Sequence, residues 1–323
     1  MCRLSHRRRL GNALSGTLPP QWGNFTEVTS LNLKSNSISG YVPSQLGAMT
    51  RLGGWATEGN GFSGFLPTQF GSLQSIGGAC HSKNWLDFGT PPMSGVIPTE
   101  LGRLSNAARL DIKWVSGVMP TELGDLSKLG CSIDLESRDD ISGSLPTQLG
   151  RLSKISHTFE FRNNLLSATI PTQLGNSPAR VMGAGNVLAG AVPPELTRWA
   201  TGDGWGWVWL QDNSLSGALP TQLGLATGVK GLNLERNSIT GFLPSQLGMM
   251  SQLSGLALED NLIIGTIPMQ LTKLASTNAN SCPIGGTNAY WCGGAWATWI
   301  CSQDLPCDGM PAPPPPPAVP MAV

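Results

Sequence analysis

The side chains able to carry chemistry are few and unevenly placed. Trp199, Trp205, Trp207 and Trp209 crowd into eleven positions, and Gln211 follows. Exposed tryptophan is costly in water and enriched where proteins recognise partners, so this run offers a stacking surface for a ligand. A second group is acidic and spread along the chain: Asp134, Glu136, Glu160, Glu235 and Glu259, with Arg162 beside Glu160. A pair of carboxylates could serve as acid and base on a glycan. A row of them could instead attract a basic peptide or a cation-bearing ligand, or form an ordinary solvated face.

Other routes to catalysis are thin. The chain has three histidines, His6, His81 and His157. Neither G-x-S-x-G nor H-E-x-x-H occurs, Gly183-Ala-Gly185 lacks the third glycine of a dinucleotide loop, and Lys230 does not follow its glycine as a phosphate-binding loop requires. No cofactor is expected. His81 beside Cys80 has no second pair nearby to complete a metal site. Of seven cysteines, Cys282, Cys292, Cys301 and Cys307 cluster near the end. No C-x-x-C pair occurs, which argues against a zinc ribbon, so disulfides are expected there, in any of three connectivities. Cys2, Cys80 and Cys131 read as unpaired.

What positions these residues is a repeat. Ser/Thr-Gly-x-apolar-Pro-x-Gln/Glu-apolar-Gly recurs with its proline at Pro19, Pro43, Pro67, Pro98, Pro120, Pro146, Pro171, Pro193, Pro220, Pro244 and Pro268, a mean step of about 25 residues. A period in this range signals a solenoid. In each unit two apolar residues alternate, as in Leu256-x-Leu258, and so share one face of a short strand. An Asn follows, as at Asn261, and a buried Asn must satisfy an acceptor and two donors, which stacked turns could provide. Ile263, Ile267 and Leu271 return apolar side chains to the same core. No single coil can bury its apolar side alone, so the coils must stack. Counting from each Asn places Trp207, Trp209, Gln211, Asp134, Glu136, Glu160, Arg162, Glu235 and Glu259 outward on the strand face, with Val208 and Leu210 inward. Open water on such a face weighs against hydrolysis and toward binding.

The pattern L-x-x-L-x-x-L-x-L-x-x-N-x-L-S-G-x-I-P-x-x-L-G, carried by residues 11–274, resembles the plant-type leucine-rich repeat of receptor-kinase ectodomains and polygalacturonase inhibitors. The resemblance implies an α/β-type repeat solenoid: a curved right-handed superhelix of about eleven repeats, with a parallel β-sheet on the concave face and 3₁₀ or irregular turns on the convex face. It also implies recognition of a protein, peptide or glycan in signalling or defence at the cell surface. An intracellular interaction scaffold is the alternative. The remaining segments read as a basic stretch 1–10, a Cys-containing cap 275–308 and a proline-rich tail 309–323, a polyproline stalk or a docking site for a proline-binding module.

Two departures from the repeat stand out. The step from Pro67 to Pro98 lengthens to 31 residues, and the stretch ACHSKNWLDFGTPPM reads as a loop or a distorted coil. Val115 and Asp139 lie near positions where the Asn should stand. Composition adds loose bounds. Net charge is zero, with 20 basic and 20 acidic residues, which favours neither nucleic acid nor an anionic membrane. Charged residues make up 12%, about half the usual share, which suits a cell-exterior surface. One sequon, Asn24-Phe25-Thr26, is a glycosylation candidate. No run is apolar enough to span a membrane. The start has no apolar h-region, and the first coil begins without a cap, so the chain is expected to be part of a longer parent.

Overall fold

Ten short parallel strands, one per coil, make the main sheet of the protein, described here from a computed structural model. In order across the sheet they are Ser30–Asn32, Gly54–Ala56, Leu86–Asp87, Arg109–Asp111, Ser132–Asp134, Thr158–Glu160, Arg180–Met182, Trp207–Trp209, Gly231–Asn233 and Gly255–Ala257. The residues described are 12–77, 86–87, 95–113, 115–136, 141–177, 180–198 and 206–273, with the backbone of 289–291. The central residues of successive strands stand in register: Leu31, Trp55, Leu86, Leu110, Ile133, Phe159, Val181, Val208, Leu232 and Leu256. Because side chains alternate along a strand, this whole column points into the core. Leu31 and Leu256, on the two outermost strands, are half-buried, and the rest are buried. The architecture is a curved right-handed leucine-rich-repeat solenoid with the long sheet on its concave face.

Each of the eleven periodic prolines directly precedes a five-residue 3₁₀ helix. Where the cap geometry is given, the proline φ lies between −71° at Pro19 and −63° at Pro171, the value its ring imposes. The Leu-Gly pair inside seven of these helices has two jobs. The leucine, as at Leu149 or Leu223, is buried. The glycine lets neighbouring coils approach: a Cβ at Gly102 would lie 2.3 Å from the Glu122 carbonyl oxygen of the next coil.

The concave sheet and the convex 3₁₀ turns are joined by a second kind of element. Short parallel strands also form, Leu262–Thr266 among them and others from the Ser-apolar-Ser/Thr-Gly segments, such as Ser37–Tyr41, Ile141–Ser144, Ser214–Ala218 and Ser238–Gly241. Their Ile or Leu points inward, and their hydroxyl residues point out. Ala289–Trp291 pairs with Leu262–Thr266 at the far end.

Seven asparagines tie the coils together. Asn261 Nδ2 donates to the Leu258 and Glu259 carbonyls of its own coil and to Leu234 of the preceding one, while its Oδ1 accepts from the Ile239 N–H. Asn60, Asn164, Asn186, Asn213 and Asn237 do the same, and Asn36 bonds the Leu33 and Lys34 carbonyls of its own coil while accepting from the Leu14 N–H. Val115, where an Asn was missing, is buried as part of the core; Asp139 lies outside the described residues.

The irregular stretch after Pro67 is a distorted coil, because Leu86–Asp87 takes its place as a strand between Gly54–Ala56 and Arg109–Asp111. The reading of Cys131 as unpaired is also corrected: Cys131 is disulfide-bonded. Its partner lies outside the described residues, as do Cys2, Cys80, Cys282, Cys292, Cys301 and Cys307, and likewise Trp199 and Trp205. No described helix is long and apolar enough to cross a membrane.

Candidate recognition face

The outward side chains of the concave sheet stand in columns set by the strand register. The third strand position runs Asp87, Asp111, Asp134, Glu160, Met182, Trp209, Asn233 and Ala257. Four carboxylates therefore occupy adjacent strands, roughly 4.8 Å apart at the backbone. Two residues further on stand Lys34, Glu58, Lys113, Glu136, Arg162, Gln211, Glu235 and Glu259. The face divides into a charged half and an aromatic half.

The charged half is an ion-pair lattice rather than an open acidic stripe. Lys34 Nζ lies 2.5 Å from Asp87 and 2.9 Å from Glu58. Arg109 Nε donates to both Asp111 oxygens, at 2.8 and 3.1 Å. Lys113 Nζ is 2.9 Å from Asp134 and 3.9 Å from Glu136. Arg162 pairs with Glu160 and lies 3.8 Å from Glu136. The structure thus brings Asp134, Glu136, Glu160 and Arg162 together, and it adds Asp87 and Arg109, which the sequence reading did not single out. Asp87 sits in the distorted coil. Stepping through the inward residues Trp55, Leu86 and Leu110 would have found it.

Burial dominates the acid–base behaviour of this lattice. Asp111 is 5% exposed. Its pKa is pushed up to about 6, chiefly by loss of water, with the Arg109 bond pulling the other way and Asp134 and Asp87 adding to the rise. Glu160 is raised first by burial and next by Asp134. An acid with a raised folded-state pKa holds its proton in the native protein after the unfolded chain has released it, so stability falls as pH climbs between the two values. The unfolded value for Asp is about 3.9. The wild-type protein should therefore lose stability between about pH 4 and pH 6 relative to Asp111→Asn, by up to about 3 kcal/mol. Urea midpoints of both proteins across that range measure the difference; parallel profiles would contradict it.

The aromatic half is built around Trp207 and Trp209, both partly exposed, on either side of buried Val208. Their rings meet edge to face, 6.2 Å between centroids at 80°. Arg162 lies over the Trp209 ring at 5.7 Å, a cation–π contact that joins the two halves. Trp207 lies across the sheet because its register partners are glycines: Trp207, Gly231 and Gly255 share one column. A Cβ on Gly231 would fall 2.0 Å from the indole, and one on Gly255 3.4 Å from it. A recess of about 380 Å³ follows, lined by Trp207, Trp209, Gln211, Leu232, Asn233 and Ala257 with neighbouring backbone. Gln211 Oε1 and Glu259 Oε2 are buried atoms without a hydrogen-bond partner. Glu235, between them in register, is met by Arg236, which also bonds Asp212. Among the described residues no cluster of three or more His, Cys, Asp or Glu is arranged to hold a metal.

Fold and face together define a leucine-rich-repeat solenoid. Within that class the chain resembles the plant-type repeats of receptor-kinase ectodomains. No protein-family model and no curated protein sequence matches the chain, but solved structures do. The complex of PEPR1 with AtPEP1 superposes with a TM-score of 0.75 at 25% identity, covering 85% of this chain and 37% of that one. The plant peptide hormone receptor RGFR1, in complex with RGF2, gives 0.69 at 26% identity, covering 86% and 47%. A plant ice-binding protein gives 0.57 at 21% identity, covering 87% and 78%, a likeness of fold alone. This chain spans less than half the length of the two receptor chains.

Proposed function

We propose that the protein is a non-catalytic recognition module that binds a peptide along its concave face. The observation that carries this reading is the recess around Trp207 and Trp209: two half-exposed indoles held against a glycine-lined floor, beside polar atoms with no partner of their own. Binding sites combine such rigid aromatic surface with a few placed polar groups. The two receptor ectodomains it resembles were solved with AtPEP1 and RGF2 on them, which adds support. The open charged half, with its carboxylates tied to Lys and Arg, suits a positioning surface better than a hydrolytic pair.

The same reading places the chain outside the cell or at its surface, as the outer part of a receptor-like or defence protein, with 1–10 as a basic lead, 275–308 as a Cys-containing cap and 309–323 as a stalk. Asn24, exposed at the end of the first 3₁₀ helix, would carry the glycan. The bonded state of Cys131 supports an oxidising compartment over the intracellular alternative. Thiol titration of the native secreted protein tests this: protected cysteines support the reading, and seven free thiols would reverse it.

Ligand binding itself is tested by selecting binders from a displayed library of random twelve-residue peptides on the full chain. Trp209→Ala is expected to weaken the selected peptides by at least about ten-fold while moving the thermal midpoint by no more than about 2 °C, since the ring is partly exposed and its surface role is binding. A large fall in midpoint with affinity intact would place the ring in the structure's support instead.

A further inference from the structure

The recess has a chemical polarity that its shape alone does not reveal. Five cations of the concave face, Lys34, Arg109, Lys113, Arg162 and Arg236, already face carboxylates, and Arg180 stands on the strand before Trp207. Along the column that starts at Gln211, the atoms left over are acceptors. In the column Gln211, Glu235, Glu259, only the middle carboxylate is met by a cation, while Gln211 Oε1 and Glu259 Oε2 are out of water and without a donor. A buried acceptor left unmade costs free energy, more so when charged. Burial, with Glu235 and Asp260 close by, holds the Glu259 carboxyl above the usual range, and a donor arriving there would meet an acceptor that has none.

We infer that the recess reads a basic residue of its peptide ligand. One side chain, flat or aliphatic, rests on the open face of Trp207 above Gly231 and Gly255. A second, Arg or Lys, donates to the oxygens of Gln211 and Glu259. Trp207 and Gln211 are four residues apart on one strand, roughly 13 Å at about 3.3 Å per residue, which is more than one side chain spans. The ligand therefore presents its apolar and its cationic residue two to four positions apart in an extended segment. Arg is favoured over Lys at Gln211, because its fork offers several N–H groups to separate acceptors.

This rests on the peptide reading above, and one experiment separates the two. Peptides selected on the full chain are sequenced and measured against the wild type, Trp209→Ala, Glu259→Gln and Gln211→Met, with circular dichroism to confirm that each variant keeps the solenoid. The expected result is enrichment of Arg or Lys two to four positions from an apolar or aromatic residue. Affinity should fall at least about ten-fold in Glu259→Gln, fall similarly when the peptide's basic residue becomes Gln, and weaken with salt. Peptides that require Trp209 but carry no basic residue, or that bind Glu259→Gln and Gln211→Met as tightly as the wild type, would overturn the inference and leave the peptide reading standing. If no selected peptide depends on Trp209, both are overturned.

Discussion

Leu234→Asp is expected to unfold several coils of the solenoid. Leu234 is fully buried, one step inward from the strand Gly231–Asn233, and its carbonyl accepts from both Asn237 and Asn261. Nothing in the surrounding column, which includes Leu210 and Leu258, offers a partner to a carboxylate. The substitution removes the packing of a leucine, about 2–5 kcal/mol with its cavity, and adds the cost of an unpaired polar group in an apolar site. Because each coil is held only by its neighbours, the loss should spread locally. Hydrogen exchange should show the amides of 207–263 deprotected while the coils before Asn164 remain protected, and the urea transition should split in two. A single transition within a few degrees of the wild-type thermal midpoint would mean that the inward column is not the core.

Asn164→Ala should cost nearly as much without touching the apolar core. Its Nδ2 donates to the carbonyls of Leu135, Phe161 and Arg162, at 3.0, 3.1 and 3.0 Å, and its Oδ1 accepts from the Ile141 N–H at 3.1 Å. The side chain is 1% exposed, so water cannot replace those bonds. Several buried backbone groups lose their partner at once, at about 1–3 kcal/mol for an unsatisfied group, for a total on the order of 3–5 kcal/mol. Asn36 makes the same kind of bonds to Leu33, Lys34 and Leu14 at a more open position, where solvent can take over. Asn36→Ala should therefore cost clearly less. Equal denaturation midpoints for the two variants would show that the asparagines stack without bearing the coils.

These expectations differ in how far they could be read from the chain. Leu234, Asn164 and the outward setting of Trp209 follow from alternation along a strand and from counting to the next Asn. The charged half was only partly legible. Glu136, Glu160 and Arg162 could be placed on the face, but their mutual neutralisation could not, since it depends on which rotamers reach across a backbone gap of roughly 4.8 Å. Asp87 was hidden because the strand that carries it lies in a stretch of irregular length. Gly231 and Gly255 looked like weak points of two strands. They are the floor on which an indole from an earlier coil lies.

The sequence by itself determined the period, the inward and outward assignment along the regular strands, the prolines that start each 3₁₀ helix and the asparagines that join the coils. All of these are local rules repeated with the chain's own spacing. Only the tertiary structure decided which acid meets which base, that Cys131 is bonded, that a second set of short strands forms, and that Trp207, Trp209 and Gln211 border one recess. Several of those contacts, such as Lys34 with Asp87 and Lys113 with Asp134, join residues some 20 to 50 positions apart in the chain, and their geometry exists only once stacked coils bring unrelated side chains within reach.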